Sequence, residues 1–164
     1  MVYREEVHLT SDNRAITFHD VTDAVRRIVT RSGIDSGIAV IYSHHTTCCV
    51  ITQEVAFDRS MTGLETLQQD FADMMEKIAP VCRREGMYLH PGEKALAFAA
   101  EHGEDAFGCH NTDAHLRSAL VGRSETIVVI DGKLDLGEFG HVYFIDFDQT
   151  RGRERTVEVQ LIGE

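Results

Sequence analysis

Basic residues are scarce in this chain. Sixteen Lys and Arg stand against 27 Asp and Glu, a formal net charge of −11. A phosphate backbone needs a basic face, so the deficit argues against nucleic acid as a partner, and equally against an anionic membrane surface. A small anionic substrate stays open, because a local arginine cluster can act inside a negative envelope. Long apolar runs are missing too: none approaches the ~20 residues needed to cross a bilayer. The first residues, MVYREEVHLT, carry two glutamates and lack the basic-then-apolar layout of a secretory leader. A cytoplasmic location is the expectation. Cys48, Cys49, Cys82 and Cys109 form no CxxC pair, and neighbours such as Cys48 and Cys49 are awkward disulfide partners, so the thiols read as reduced. Proline occurs only at Pro80 and Pro91, and no Pro/Gly linker, repeat or low-complexity segment interrupts the sequence. Residues 1–164 therefore read as a single domain. A domain of this size buries roughly two-thirds of its unfolded surface and needs no staples. No glycine-rich phosphate motif is present, so no nucleotide cofactor is expected.

What is there is a clear alternation of periods. Val2 to Leu9 alternates as a strand, Ser11-Asp12-Asn13 is turn chemistry, and Arg14 to Phe18 can return as the second strand of a hairpin. Asp20 or Thr22 can cap a helix carrying Val21, Ala24, Val25, Ile28 and Val29, which Gly33 ends. A strand pair is expected within Ile38 to Glu54. The longest helix is expected over Asp58 to Ala79, where Phe57, Met61, Leu64, Leu67, Phe71, Met74 and Ile78 make an apolar stripe read as core. Glu65, Asp70, Asp73 and Glu76 would be its wet face. Shorter helices are expected over Glu93 to Ala100 and Thr112 to Leu120. Thr126 to Leu136, with Asp131-Gly132 at its centre, is a hairpin signal. Val142 to Phe147 and Thr156 to Ile162 are further strands. The order predicts an α+β fold: an antiparallel, sandwich-like sheet with packed helices.

Three stretches carry side chains suited to chemistry. The first is SHHTTCCVITQE, Ser43 to Glu54. If it is extended, alternation puts His45, Thr47 and Cys49 on one face and His44, Thr46 and Cys48 on the other. Valine or isoleucine would avoid the ~1–3 kcal/mol penalty of each buried unpaired polar group, so a strand keeping HHTT is expected to line a cleft. The second is Cys109 to His115, CHNTDAH. Asn111 suits a helix N-cap, His115 projects from the same face four residues on, and the N–H groups of a helix start attract anions. His45 and His115 could begin a metal site, with His110, Glu54 or Asp113 as a third ligand. Elsewhere there is no HxH or HxxxH spacing, and His90, His102 and His141 read as loop or surface residues. The third stretch is Asp146 to Arg155, DFDQTRGRER. Arginines at every second position offer forks to phosphate or carboxylate. Asp148 could be a general base or could orient Arg151.

HHTTCCVITQE, HNTDAHLRSALVGRSETIVVIDGKLDLG and FDQTRGRERTVEVQLIG together resemble the YjbQ family of secondary thiamine-phosphate synthase enzymes, over nearly the whole chain. The resemblance implies a β-sandwich-like α+β subunit, a homotrimer, and a pocket near subunit contacts. It also implies a divalent metal, zinc foremost. Carried onto this sequence, it gives catalytic roles to His45, Glu54 and Asp148 and substrate binding to Thr46, Thr47, Asn111, Arg151 and Arg153; the metal would rest on His45 and His115, with His110, a residue particular to this chain, as an added ligand. The implied reaction joins a pyrimidine pyrophosphate to a thiazole phosphate. The partners implied are further copies of the chain and a small anionic or phosphorylated substrate. Other readings are a metal-dependent hydrolase or lyase and a non-catalytic trimeric metal- or ligand-binding protein. The chain departs from the family pattern at Thr52–Asp58, at Gly137–Gly140, where a Trp-Gln pair is replaced, at Asp148–Arg151, and at His110, where the family has glycine.

Overall fold

The structure, a computed structural model, describes residues 1–12 and 14–164. Among the described residues eight strands and four α-helices follow in mixed α+β order: β1 (Val2–Ser11), β2 (Thr17–Asp20), α1 (Thr22–Ser32), β3 (Gly37–Tyr42), β4 (Cys48–Glu54), α2 (Thr66–Ile78), α3 (Glu93–Glu101), α4 (Thr112–Val121), β5 (Ser124–Ile130), β6 (Lys133–Leu134), β7 (Gly140–Asp146) and β8 (Arg153–Gly163). A short 3-10 turn, Ala106–Cys109, precedes α4. The strands form two antiparallel sheets, one of five strands in the order β1-β8-β3-β5-β6 and one of three in the order β2-β7-β4.

The sheets face each other across a core of Ala39, Ile41, Val50, Val142, Phe144, Val157, Val159 and Leu161, with Val25, Ile28 and Val29 of α1 packed into the same cluster. β7 is buried on both faces. Val142 and Phe144 belong to the inter-sheet core, whereas Tyr143, Ile145 and the following Phe147 pack with Met75 of α2 and Ala114 of α4 in a second cluster. Fully buried strands read as continuous apolar runs rather than alternating ones, and VYFI in β7 is such a run. The result is a five-stranded sheet, a three-stranded sheet and, on the far side of the second, α2 and α4, while α1 packs into the core between the sheets. No helix among the described residues is long and apolar enough to cross a membrane.

Local chemistry explains most boundaries. Asp20 Oδ1 accepts from Thr22 N–H at 3.0 Å and opens α1, and Gly33, at φ 68°, closes it. Asp131 and Gly132 both adopt positive φ, as the two-residue turn between β5 and β6 demands.

Four expectations need correction. β1 and β2 do not form a hairpin. β1 pairs with β8 over its whole length, and β2 pairs with β7 in the other sheet; Asn13 of the expected turn lies outside the described residues. β3 and β4 are likewise not a pair, because residues 43–47 turn out of the first sheet and carry the chain across to the second. Ser43 Oγ accepts from His45 N–H at 3.2 Å and His45 O accepts from Cys48 N–H at 3.2 Å, which closes that crossing. Third, the long helix begins at Thr66 rather than Asp58. Gln68 Oε1 accepts from Glu65 N–H at 3.1 Å, and Ser60 donates to Leu64 O at 2.8 Å, so residues 58–65 are a looped entry. Consequently Phe57 and Met61 are exposed (82% and 107%), as are Met74 and Ile78, and the buried methionine is Met75. The last correction concerns the acidic face. Glu65 is buried and accepts from Ala56 N–H and the Tyr143 hydroxyl, and Glu76 pairs with the buried Arg117.

Candidate functional site

The crossing at residues 43–47 leads into the principal cavity, of about 440 Å³. His44, His45, Thr46 and Thr47 form one wall. Asn111 and His115, from the start and second turn of α4, form another, with Gly108 and Cys109 just ahead of them. Asp148, Arg151, Arg153 and Arg155, from the β7–β8 connection and the first residues of β8, supply the third. His90, Ala95 and Glu104 close the side nearest α3. Three sequence-distant patches thus share one hollow.

The floor is a saturated ion pair. Arg155 donates from Nε to Asp146 Oδ2 at 2.6 Å and from Nη2 to Asp146 Oδ1 at 3.1 Å, and also to Thr47 Oγ1 at 3.1 Å. Ser11 donates its hydroxyl to the same carboxylate. Both ends of the pair are buried, so it fixes β7, β8 and the 43–47 turn relative to one another.

Asp148 is also fully engaged. Its Oδ1 accepts from the Thr150 N–H at 2.9 Å and hydroxyl at 2.6 Å, and its Oδ2 accepts from Asn111 Nδ2 at 3.1 Å. Burial pushes this carboxyl up, but the bonds from Thr150 and Asn111 and the nearby Arg153 charge outweigh it and hold it below its ordinary value. A carboxylate so stabilised is a weak base. Its geometry orients Asn111 and Arg153. Asn111 sits at the N-cap position yet makes no side-chain bond to the first helical turn, because its amide is turned to Asp148.

The imidazoles have defined hydrogen-bond roles. His45 Nε2 accepts from Thr156 N–H at 2.9 Å, which makes Nδ1 the protonated nitrogen of the neutral ring. Burial, with added repulsion from Arg155 and His44, lowers His45 to about 4. His115 Nδ1 lies 3.2 Å from Thr46 O, a pairing that requires an Nδ1–H donor and leaves Nε2 with a free lone pair. Burial lowers this ring also. Near neutral pH the cavity therefore presents an N–H donor at His45 and an acceptor at His115.

The two outer arginines keep unused donors. Arg151 Nη2 meets Glu104 Oε2 at 2.9 Å, yet its Nε is buried with no hydrogen-bond partner among the described residues. Arg153 Nε lies 3.3 Å from Asp148 Oδ2, near enough for charge attraction but too oblique for a hydrogen bond, so that N–H is also without a partner. The carboxylates around the cavity are satisfied while guanidinium N–H groups are not. Such a hollow lacks an acceptor, and a small oxyanion would complete it.

Not every expected residue is here. Glu54, at the far end of β4, lines a separate hollow with Glu125 and Asp135. His110 lines a small hollow behind the 3-10 turn with Cys82 and Asp113. The imidazoles named for a metal therefore do not converge: His45 Nε2 already accepts from Thr156 N–H, and His110 faces elsewhere. Among the described residues no group of three His, Cys, Asp or Glu side chains is placed to share an ion. The donor set of one chain does not fit the implied metal. Conversely, His44 and His45 both border the cavity, their ring centroids 4.2 Å apart, because the segment turns rather than alternates. His90 is exposed, in keeping with its reading as a surface residue, and also faces His115 edge-on at 5.7 Å at the cavity's border. Arg155 was detectable: in strand register it shares a face with Arg153. His90 and Glu104 lie in a stretch without periodic pattern and carried no signal.

The sequence pattern of the family described as "UPF0047 protein YjbQ-like" matches residues 5–164. A UPF0047 protein of Methanothermobacter thermautotrophicus is 30% identical over 158 residues, covering 96% of this chain and 92% of that protein. The UPF0047 protein MJ1081 of Methanocaldococcus jannaschii is 32% identical, with 88% and 84% covered. Among solved structures, an uncharacterized YjbQ/UPF0047 protein of Clostridium acetobutylicum superposes with a TM-score of 0.72 at 29% identity, over 96% of this chain and 99% of that one.

Proposed function

The chain belongs to the YjbQ family, and on that premise we propose that the cavity of about 440 Å³ is an active site for a small phosphorylated substrate. The observation that carries this reading is the pair of buried, unpartnered guanidinium N–H groups, Arg151 Nε and Arg153 Nε, beside neutral imidazoles. Phosphate oxygens are the acceptors such forks take best.

The specific reaction we propose is the joining of a pyrimidine pyrophosphate to a thiazole phosphate. The thiazole ring nitrogen attacks the carbon that bears the pyrophosphate, the C–O bond breaks, and pyrophosphate leaves with the bonding electrons. The attacking nitrogen carries no proton, so the step asks little of a general base. It asks for stabilisation of charge on the departing group, which preorganised donors supply. That balance of demands suits a site whose carboxylate is saturated and whose arginines are not. In this reading Arg151 and Arg153 hold the leaving group, His45 Nδ1–H donates to it, Thr46 and Thr47 border the substrate, and Asp148 and Asn111 position Arg153. No step is routed through a metal. The free lone pair of His115 Nε2 favours a second reading, hydrolysis with His115 as base.

Self-association belongs to the same proposal. Val2, Ile162, Ile38 and Val128 lie in one cross-strand row on the five-stranded sheet, and all four are exposed in the single chain. Tyr42 and Ile130, also exposed on this face, widen the row into an apolar patch, which suits a second copy of the chain, and a trimer is the assembly proposed.

The decisive experiment supplies both precursors and follows thiamine phosphate and pyrophosphate, alongside calorimetric titration of pyrophosphate. Product with the unaltered chain, and pyrophosphate binding weakened at least ~10-fold in Arg153→Ala, about 1.4 kcal/mol, is expected. Saturable binding without product would make this a ligand-binding protein. Absence of both would sink the phosphate reading.

A further inference from the structure

α4 separates two hollows. His115 borders the principal cavity, whereas Arg117, two residues on, borders a second hollow of about 300 Å³ on the opposite flank. The chain repeats this division at the end of β7, where Asp148 borders the first and Gln149 the second. Arg117 is 1% exposed, among the most deeply buried side chains in the protein. Its Nε and Nη2 donate to Ala79 O at 2.9 and 2.7 Å, and Nη2 also meets Glu76 Oε2 at 2.8 Å. Its Nη1 is buried with no partner among the described residues. A charged donor kept dry and unmet is costly unless something completes it.

The surroundings specify the missing group. Glu76 cannot serve: its Oε2 already accepts from Arg117 and from Val81 N–H at 3.0 Å, and its Oε1 from Arg83 at 2.9 Å. Arg83 stands at the rim, 73% exposed, and brings a second guanidinium to the same hollow. Ile16, Leu64, Ala72 and Val81 give the walls an apolar character. Asp73 is at the edge as well, its Oδ1 accepting from Gln69 Nε2 at 2.8 Å. With Glu76 and Asp73 present, a doubly charged phosphate would be repelled, whereas a singly charged planar carboxylate matches the guanidinium fork. The apolar walls would take a short hydrocarbon body. We propose that this hollow is a second ligand site, distinct from the principal cavity, for a small monocarboxylate with an apolar tail, its carboxylate held by Arg117 and Arg83.

Calorimetric titration of the full chain with valerate tests this, with valeramide as the uncharged isostere. Saturable valerate binding is expected, at least ~10-fold weaker for the amide, the size of one lost charge-assisted interaction. Arg83→Gln should weaken valerate binding several-fold. Ala72→Phe, which fills the hollow and leaves both arginines in place, should abolish it and keeps the test open if Arg117 variants fail to fold. Arg153→Ala should leave it unchanged. No saturable heat at millimolar valerate, equal binding of the amide, or loss of binding in Arg153→Ala would each overturn the assignment.

Discussion

Two acid–arginine pairs stand two residues apart where β7 passes into β8, and they do opposite things. Asp146 and Arg155 meet through two hydrogen bonds, with Ser11 and Thr47 taking up further capacity, and both side chains are buried. Asp148 and Arg153 approach to 3.3 Å without a hydrogen bond; the acid is saturated by Thr150 and Asn111, and the guanidinium is left with a donor to spare. The first pair is closed and structural. The second is open and faces the cavity. Residue type does not separate them; the approach angle of the guanidinium does, together with the number of other donors on each carboxylate.

Substitutions can break that contrast. Asp146→Asn should have the largest effect, because it leaves Arg155 charged, buried and short of its counter-ion. A loss of about 3–5 kcal/mol in denaturant-measured stability is expected. A loss below about 1 kcal/mol would mean that the inner pair is no more structural than the outer one. Arg153→Ala should give the reverse pattern: pyrophosphate affinity falls at least ~10-fold, while stability changes by less than ~1 kcal/mol, as for other partly exposed pairs.

Acid titration sharpens the comparison at the histidine between the two pairs. The folded chain binds a proton on His45 less tightly than the unfolded chain does, since its value lies at about 4 against an ordinary 6.5. Stability arising from the neutral ring is therefore complete above pH ~6.5 and is lost as pH falls toward ~4. His45→Gln, whose amide oxygen can still accept from Thr156 N–H, should show a flatter stability profile across that window. An unchanged profile would assign the acid sensitivity to other groups, His115 first. The smallest effects are expected from Glu54→Gln, which should leave pyrophosphate affinity unchanged because Glu54 lies outside the cavity. Protein purified without chelator should carry well under one zinc per chain. A full equivalent that disappears in His45→Ala would restore the metal reading.

How much of this was legible beforehand differs by residue. Local signals located α1, α4 and the β5–β6 hairpin, since Gly33, Gly122 and Asp131-Gly132 act through their own backbone angles. They misplaced the start of α2, because Phe57 and Met61 continue the helical spacing across a segment that Glu65 and Gln68 in fact interrupt. Strand partners were misjudged for a different reason. Sequence neighbours β1 and β2, and β3 and β4, divide between two sheets, and pairing is set by which apolar faces meet, not by proximity along the chain. For the site, the dense polar runs at 43–47 and 111–115 and the alternating arginines pointed to the cavity. Glu54 and His110 look equally suited in sequence and face other hollows.

The sequence by itself determined the α+β order, the acidic balance, the family, and the three segments whose polar side chains would be expensive to bury without purpose. Only the tertiary structure decided which arginines keep a free donor, which histidine nitrogen bears the proton, and which carboxylates are already satisfied. Hydrogen-bond geometry over a few ångströms settles those questions, and it comes from strands and loops separated by scores of residues, so no local pattern in the sequence encodes it.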